Sequence, residues 1–469
     1  MADSWVSALD NLRQAMTATS PAQLGKPFRP ELEKYCRLEP LTLQELGEVK
    51  DLLDSHGTLD VSRAKCKDKD GKFTGPFSAS AANTKGEHTG SSMFGSWLRD
   101  NCIIAYGLFL TDPDGQGCED SKACINSIAT FLLTHEAHRI ELVLGGHKDV
   151  KGPPDTWMDR PHIRFIGETG LEDTKWYNHK QNDALGYFMW CRCQLALADK
   201  MPLTGDHLKL LGQLFDYLRV IECWEEHDAG HWEEHSAQHA SSLGPCLAAT
   251  KAFKALMKKT GFMAPCKADT LDILELKLTS CLKEILPNEV IRPAENAKDA
   301  DSALVFLCYP LDVVDDDMGA KILERLQKCM GGVAMARYRK DSYWCKDYKE
   351  KIGDDPTKHF TDEELKERDA LLVPGEEAQW CLFDPMVSAY YGKLYQKSKK
   401  PEHLKLQQLF LSRALAAITG DDCEFGAWMC CEAYYLHGDK WVPNDNTPLV
   451  WTQIDLKMAL YEMEKSLSQ

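Results

Sequence analysis

No uninterrupted apolar run reaches the roughly 18 residues that a membrane-spanning helix needs. The opening stretch, MADSWVSALDNLRQAM, lacks a basic segment leading into an apolar one, so no secretory leader is expected. Positive charge is in the minority: 55 Lys and Arg stand against 72 Asp and Glu, a net charge of −17. A surface of that sign repels phosphate backbones and anionic lipid heads. Nucleic acid and membranes are therefore excluded as partners, and a neutral ligand fits better. Cysteine is plentiful at 18, yet no Cys-x-x-Cys pair and no zinc-finger spacing occurs. Several cysteines (Cys102, Cys191, Cys193, Cys308) lie inside apolar runs. They read as reduced core thiols, which points to a cytoplasmic protein rather than a disulfide framework.

Strands of alternating polarity are also scarce, and no repeat of fixed period or Pro/Gly-rich linker divides the chain. Helical spacing is everywhere instead. Leu208, Leu211, Leu214, Phe215 and Leu218 form one apolar stripe. Similar runs cover about 41–55, 93–110, 120–135, 181–198, 235–258, 268–285, 317–329, 377–396, 402–418 and 451–467, with another near 5–17. A dozen helices without a clear sheet predicts an all-α fold. The first 30 residues read as a peripheral arm and 31–469 as one domain. Long connectors at 63–91, 137–176 and 330–375 carry Trp and Arg, which favours a ligand-facing role.

Five segments hold the chemistry. Trp97-Leu98-Arg99-Asp100 opens an apolar helix with an aromatic, a guanidinium and a carboxylate, the mix that stacks on and hydrogen-bonds a sugar. Trp176 precedes Gln181-Asn182-Asp183 and another apolar helix. Residues 223–244 crowd glutamates and four histidines between two helices. There Trp224 supplies apolar surroundings that would raise the pKa of Glu225, as a proton donor to a glycosidic oxygen requires. Arg337 and Asp341 are interleaved with Tyr338 and Tyr343. Last, Glu432 is read at a helix end beside two tyrosines, with Trp451 opening the final helix.

Together and in this order, these segments resemble glycoside hydrolase family 15, the glucoamylases, whose barrel recurs in phosphorylase kinase α and β subunits. The resemblance spans roughly 90–465 and is nearest the kinase-like and cyanobacterial branch. It implies an (α/α)6 barrel, an inverting hydrolase of α-linked glucosides, an oligosaccharide or glucan as partner, and no cofactor or metal. It makes Glu225 the general acid, through Trp224-Glu225-Glu226, and Glu432 the general base. It implies substrate contacts by Trp97, Arg99, Asp100, Trp176, Asp183, Glu226, Arg337, Asp341 and Trp451, with Glu377 and Trp380 also lining the pocket. A second Trp-Glu-Glu, at 232–234, falls where glucoamylases have aromatics. Cys223 and Cys431 flank the two proposed acids, and their oxidation would distort the site if they met.

Three rivals remain at this level. The barrel could sense a glucan without cleaving it. His231-x-x-Glu234-His235 matches an inverted zinc-protease signature, and His227, His231, His235 and His239 would share one face of a helix. A helical-barrel epimerase would interconvert sugars instead.

Overall fold

The computed structural model describes residues 29–80, 95–146, 160–175, 177–203, 205–353 and 360–469. The expected arm is confined to residues outside this set, apart from Arg29 and Pro30; so is the run near 5–17. The helices are α1 (Leu43–Ser55), α2 (Leu98–Thr111), α3 (Gln116–Phe131), α4 (Ala137–Leu144), α5 (Asn182–Leu197), α6 (Gly205–Val220), α7 (Ala240–Thr260), α8 (Thr270–Ile285), α9 (Val305–Cys308), α10 (Asp316–Leu326), α11 (Tyr348–Ile352), α12 (Asp362–Asp369), α13 (Phe383–Ser398), α14 (Pro401–Ala416) and α15 (Val450–Leu467).

Six of them close a ring: α2 packs on α5, α5 on α7, α7 on α9, α9 on α13, α13 on α15, and α15 returns to α2. Each inner helix has an outer partner, namely α3, α6, α8, α10, α14 and α1. The architecture is the all-α (α/α)6 barrel, and the sequence pattern explains which helix goes where. Helix α5 buries 14 of its 16 residues, so it must be surrounded by protein. Helix α10 buries only Gly319, Ile322, Leu323 and Leu326, an i, i+3, i+4, i+7 stripe that suits one covered face. The inner ring is tight. A Cβ on Gly186 would stand 2.7 Å from the Cys246 amide nitrogen, so glycine is required where α5 meets α7. A second apolar cluster, with Leu46, Val49 and Leu53 against Leu411, Leu415, Leu460 and Met463, seats α1 on α14 and α15.

Because inner and outer helices alternate in direction, all inner helices start at the same end. Short strands gather there: β1 (Lys65–Lys67) with β2 (Phe73–Phe77), β3 (Gly95–Trp97) with β4 (Arg164–Ile166) and β5 (Leu171–Glu172), and β6 (Gln379–Trp380) with β7 (Ala433–His437) and β8 (Lys440–Pro443). They are two to five residues long, too short for an alternating pattern to be legible. Three helical readings are corrected at their starts. Residues 95–97 form β3 ahead of α2, residues 235–239 are irregular ahead of α7, and 379–380 form β6 ahead of α13. Among the described residues, no helix is long and apolar enough to cross a membrane.

Candidate functional site

At the shared N-terminal end of the inner helices lies a cavity of about 150 Å³. A single water needs roughly 10–15 Å³ on the same measure, so the space admits a sugar-sized body. Short strands aim its walls. β3 runs directly into α2 and delivers Trp97, Arg99 and Asp100. β6 delivers Trp380, and the residue before β7 is Glu432. Trp451 comes from the first turn of α15. Six helix N-termini carry partial positive charge, and the carboxylates gathered here oppose it.

Arg99 is buried and held on both arms. Nη1 donates to Asp183 Oδ2 at 2.9 Å and Nη2 to Glu233 Oε1 at 3.0 Å, while Gln181 accepts from both. Asp183 itself is fully buried and does not line the cavity; it fixes Arg99. Arg337 is anchored the same way, with Nε on Asp341 Oδ2 at 2.7 Å and Nη2 on Asp341 Oδ1 at 2.6 Å. Asp341 therefore stands behind Arg337, outside the cavity wall. The rings of Trp380, Trp232 and Tyr343 lie 4.8, 5.1 and 5.1 Å from the Arg337 guanidinium.

Glu432 accepts from Asn444 at 2.5 Å and Asn446 at 2.7 Å. Burial pushes its carboxyl up to about 7, against the pull of those two amides. It lies at a bend directly ahead of β7 rather than at the helix end expected from sequence. Burial likewise pushes Asp100 up to about 7, and Arg99 pulls it down.

The other expected acid is elsewhere. Glu225 is exposed and does not line the cavity. Trp224 is buried under Lys277 of outer helix α8, and Glu225 follows it at the outer rim. Glu226 is buried but also misses the cavity. Its carboxylate takes Arg160 at 2.5 Å and Asn182 at 3.0 Å, tying this turn to the start of α5. The second Trp-Glu-Glu enters instead: Trp232, Glu233 and Glu234 all line the cavity. Glu233 has a left-handed backbone, φ 62°, which sends the two glutamates to opposite sides. Glu233 turns to Arg99. Glu234 turns to Arg337 at 2.8 Å, Arg368 at 2.6 Å and the Tyr338 hydroxyl. Burial opposes ionisation of Glu234, but Arg337, Arg368 and Lys298 hold its carboxyl well below the usual range.

Of the remaining expectations, Trp176 lies outside the described residues. Glu377 is half-buried away from the cavity and accepts the amides of Lys340 and Gly375 at 2.9 and 2.8 Å, which pins a loop. Phe360, Leu365 and Arg368, flanking or within α12, line the cavity without any sequence signal. His231 lines it too and is kept neutral by burial and by the nearby Arg99 and Arg337.

The zinc reading loses its geometry. Residues 221–239 are turns and irregular chain with one bridge, Asp228 to Ala237, and no helix, so a four-residue spacing places nothing on one face. His227 is exposed, His231 stacks on Phe306, His235 bonds Asp369 at 2.8 Å and His239 bonds Glu289 at 3.1 Å. Cys223 and Cys431 each neighbour a different thiol, Cys246 and Cys381.

Residues 64–351, more than half of the chain, match the family described as glycosyl hydrolases family 15. Among solved structures, a wild-type glycosidase aligns with a TM-score of 0.62 at 17% identity, over 90% of this chain and 99% of that one. The glucoamylase of Saccharomycopsis fibuligera gives 0.58 at 14% identity, over 91% and 97%. That of Hormoconis resinae gives 0.56 at 10% identity, over 90% and 73%. No curated protein sequence matches. The chain thus belongs to glycosyl hydrolases family 15 and is an inverting glycoside hydrolase acting on α-glucosides.

Proposed function

We propose that Glu233 is the general acid and Glu432 the general base of a hydrolase that releases a terminal sugar from an α-linked oligosaccharide or glucan. The observation that carries this is that both glutamates line one sugar-sized cavity, on separate segments, with Glu225 outside it. Glu233 donates its proton to the glycosidic oxygen. Glu432, ionised, removes a proton from a water on the opposite face of the ring. For inversion the two carboxyl groups stand roughly 6.5–9.5 Å apart, leaving space for that water.

Arg99 and Asp100 would hold hydroxyls of the departing terminal sugar on one side of Glu233. Glu234 and Arg337 would hold the next sugar on the other. Trp97, Trp232, Trp380 and Trp451 wall the cavity and limit water. Asp183 and Asp341 act through the arginines they fix. Residues 31–469 would work as one catalytic unit. A cytoplasmic location is supported by the 18 cysteines, all present as free thiols.

The test is the anomer first released from α-linked di- and oligosaccharides, followed by NMR. Initial β-glucose supports the reading; initial α-glucose overturns it. Tight binding of the same sugars without turnover would favour the sensing barrel.

A pH profile offers a second check. Glu432 must be ionised to act as base, and its carboxyl titrates near 7. The ascending limb of kcat/KM is therefore expected near pH 7 rather than near the ordinary glutamate value. Asp100 titrates in the same range, so the limb belongs to the pair. Asn444→Ala removes a donor that favours the charged form, which moves the limb to higher pH. A limb unmoved by that change, or one near pH 4.5, argues against Glu432 as the base.

A further inference from the structure

We propose that Arg368 is a specificity-determining residue that selects a neutral, hydroxyl-bearing sugar on the leaving-group side of the bond. This rests on Glu233 being the acid at the junction between the two halves of the cavity.

Glu233 faces Arg99, and Glu234 faces Arg337 and Arg368, so the two halves carry different cations. In the second half the bonding is only partly closed. Arg337 uses Nε and Nη2 on Asp341 and Glu234. Arg368 uses Nε on Ser342 at 2.9 Å and Nη2 on Glu234 at 2.6 Å. Both side chains are only 4% exposed, both line the cavity, and neither Nη1 has a partner among the described residues. A guanidinium that lines a cavity with N–H groups unused can donate them to acceptor oxygens of a ligand.

Charge decides which ligand. Arg337 is matched by Asp341 and Arg368 by Glu234, and Lys298 lies 3.9 Å from both Glu234 and Asp301. With each guanidinium already balanced, the unused N–H groups suit hydroxyl oxygens better than a further anion. The Tyr343 ring lies beside both guanidinium groups, at 5.1 and 5.5 Å, and Phe360 lies 5.0 Å from Arg368. An aromatic face flanked by donors is what a second pyranose ring requires.

The test compares α-linked diglucosides with 4-nitrophenyl α-glucoside, whose leaving group has no hydroxyls to offer. Arg368→Ala is expected to lower the ratio of kcat/KM for the best diglucoside over that for the aryl glucoside by at least about tenfold, the loss typical of a hydrogen bond to a charged donor. Arg368→Lys should recover part of it. Equal losses on both substrates would reduce Arg368 to a support for Glu234 and overturn the proposal, as would no loss. Calorimetry in a Glu233→Gln background separates the two readings. There Arg368→Ala should lower diglucoside affinity relative to glucose affinity by a similar factor. An unchanged affinity ratio sinks the Arg368 proposal alone, whereas wild-type enzyme without turnover sinks the catalytic reading alone. A glucoside with a carboxylate-bearing leaving group should bind no better than the neutral diglucoside; if it binds tenfold better, the neutral selection is wrong.

Discussion

Replacing Glu233 with glutamine is expected to lower kcat on an α-linked disaccharide by about 10²- to 10⁴-fold, the usual worth of a general acid. Glu225→Gln should stay within about threefold of wild type. The contrast is sharp because the two glutamates share a local sequence, each directly after a tryptophan, and differ in where the fold puts them. Glu225 is exposed at the outer rim above α8. Glu233 lines the cavity and is bonded to Arg99. Glutamine keeps the volume and a carbonyl acceptor for Arg99, which also retains Asp183 and Gln181. The fold should therefore survive, and thermal melting would check it. If Glu225→Gln lost activity while Glu233→Gln kept it, the assignment would be reversed.

Glu432→Gln should cost a similar factor in rate and yet raise stability above neutral pH. Burial pushes the carboxyl up to about 7 when folded, against an ordinary glutamate value of 4.5. A raised carboxyl pKa means the folded state binds the proton more tightly than the unfolded one. Stability from that group is fully present below about pH 4.5 and is lost as pH rises through 7. The penalty for holding the buried anion reaches roughly 3 kcal/mol at pH 8. Glutamine carries no charge and still accepts from Asn444 and Asn446. The variant should melt higher than wild type at pH 8 and close to it at pH 5. An equal difference at both values would show that the charge is not the cause. An inactive but more stable protein is the trade expected where a charge is kept buried for its chemistry.

Much of this is legible in the sequence. The helical runs read at 93–110, 181–198, 377–396 and 451–467 contain four of the six inner helices, Leu98–Thr111, Asn182–Leu197, Phe383–Ser398 and Val450–Leu467. Trp97, Arg99, Asp100, Arg337, Trp380, Glu432 and Trp451 were all named from sequence and all line one cavity. The choice between two Trp-Glu-Glu triplets was not legible from local chemistry, since Trp224 offers Glu225 the same apolar neighbour that Trp232 offers Glu233. Position in the connector decides it. The first triplet follows outer helix α6 closely and stays over the outer layer, where Trp224 packs beneath Lys277. The second precedes inner helix α7 and so reaches the barrel axis. Arg368 was invisible for a different reason. Helix α12 is polar and lies in a long connector, with no apolar stripe to mark what it faces.

The order and periodicity of the helices, the all-α class and most groups that bind a sugar follow from the chain itself, because burial patterns and short motifs are local properties. Which glutamate meets Glu432, that Asp183 and Asp341 stand behind arginines, and that α12 brings a second guanidinium to Glu234 were decided only by the closed ring. Those pairings join residues up to 199 positions apart, as between Glu233 and Glu432 (432 − 233). No local pattern encodes a contact made only when six helix N-termini converge on one axis.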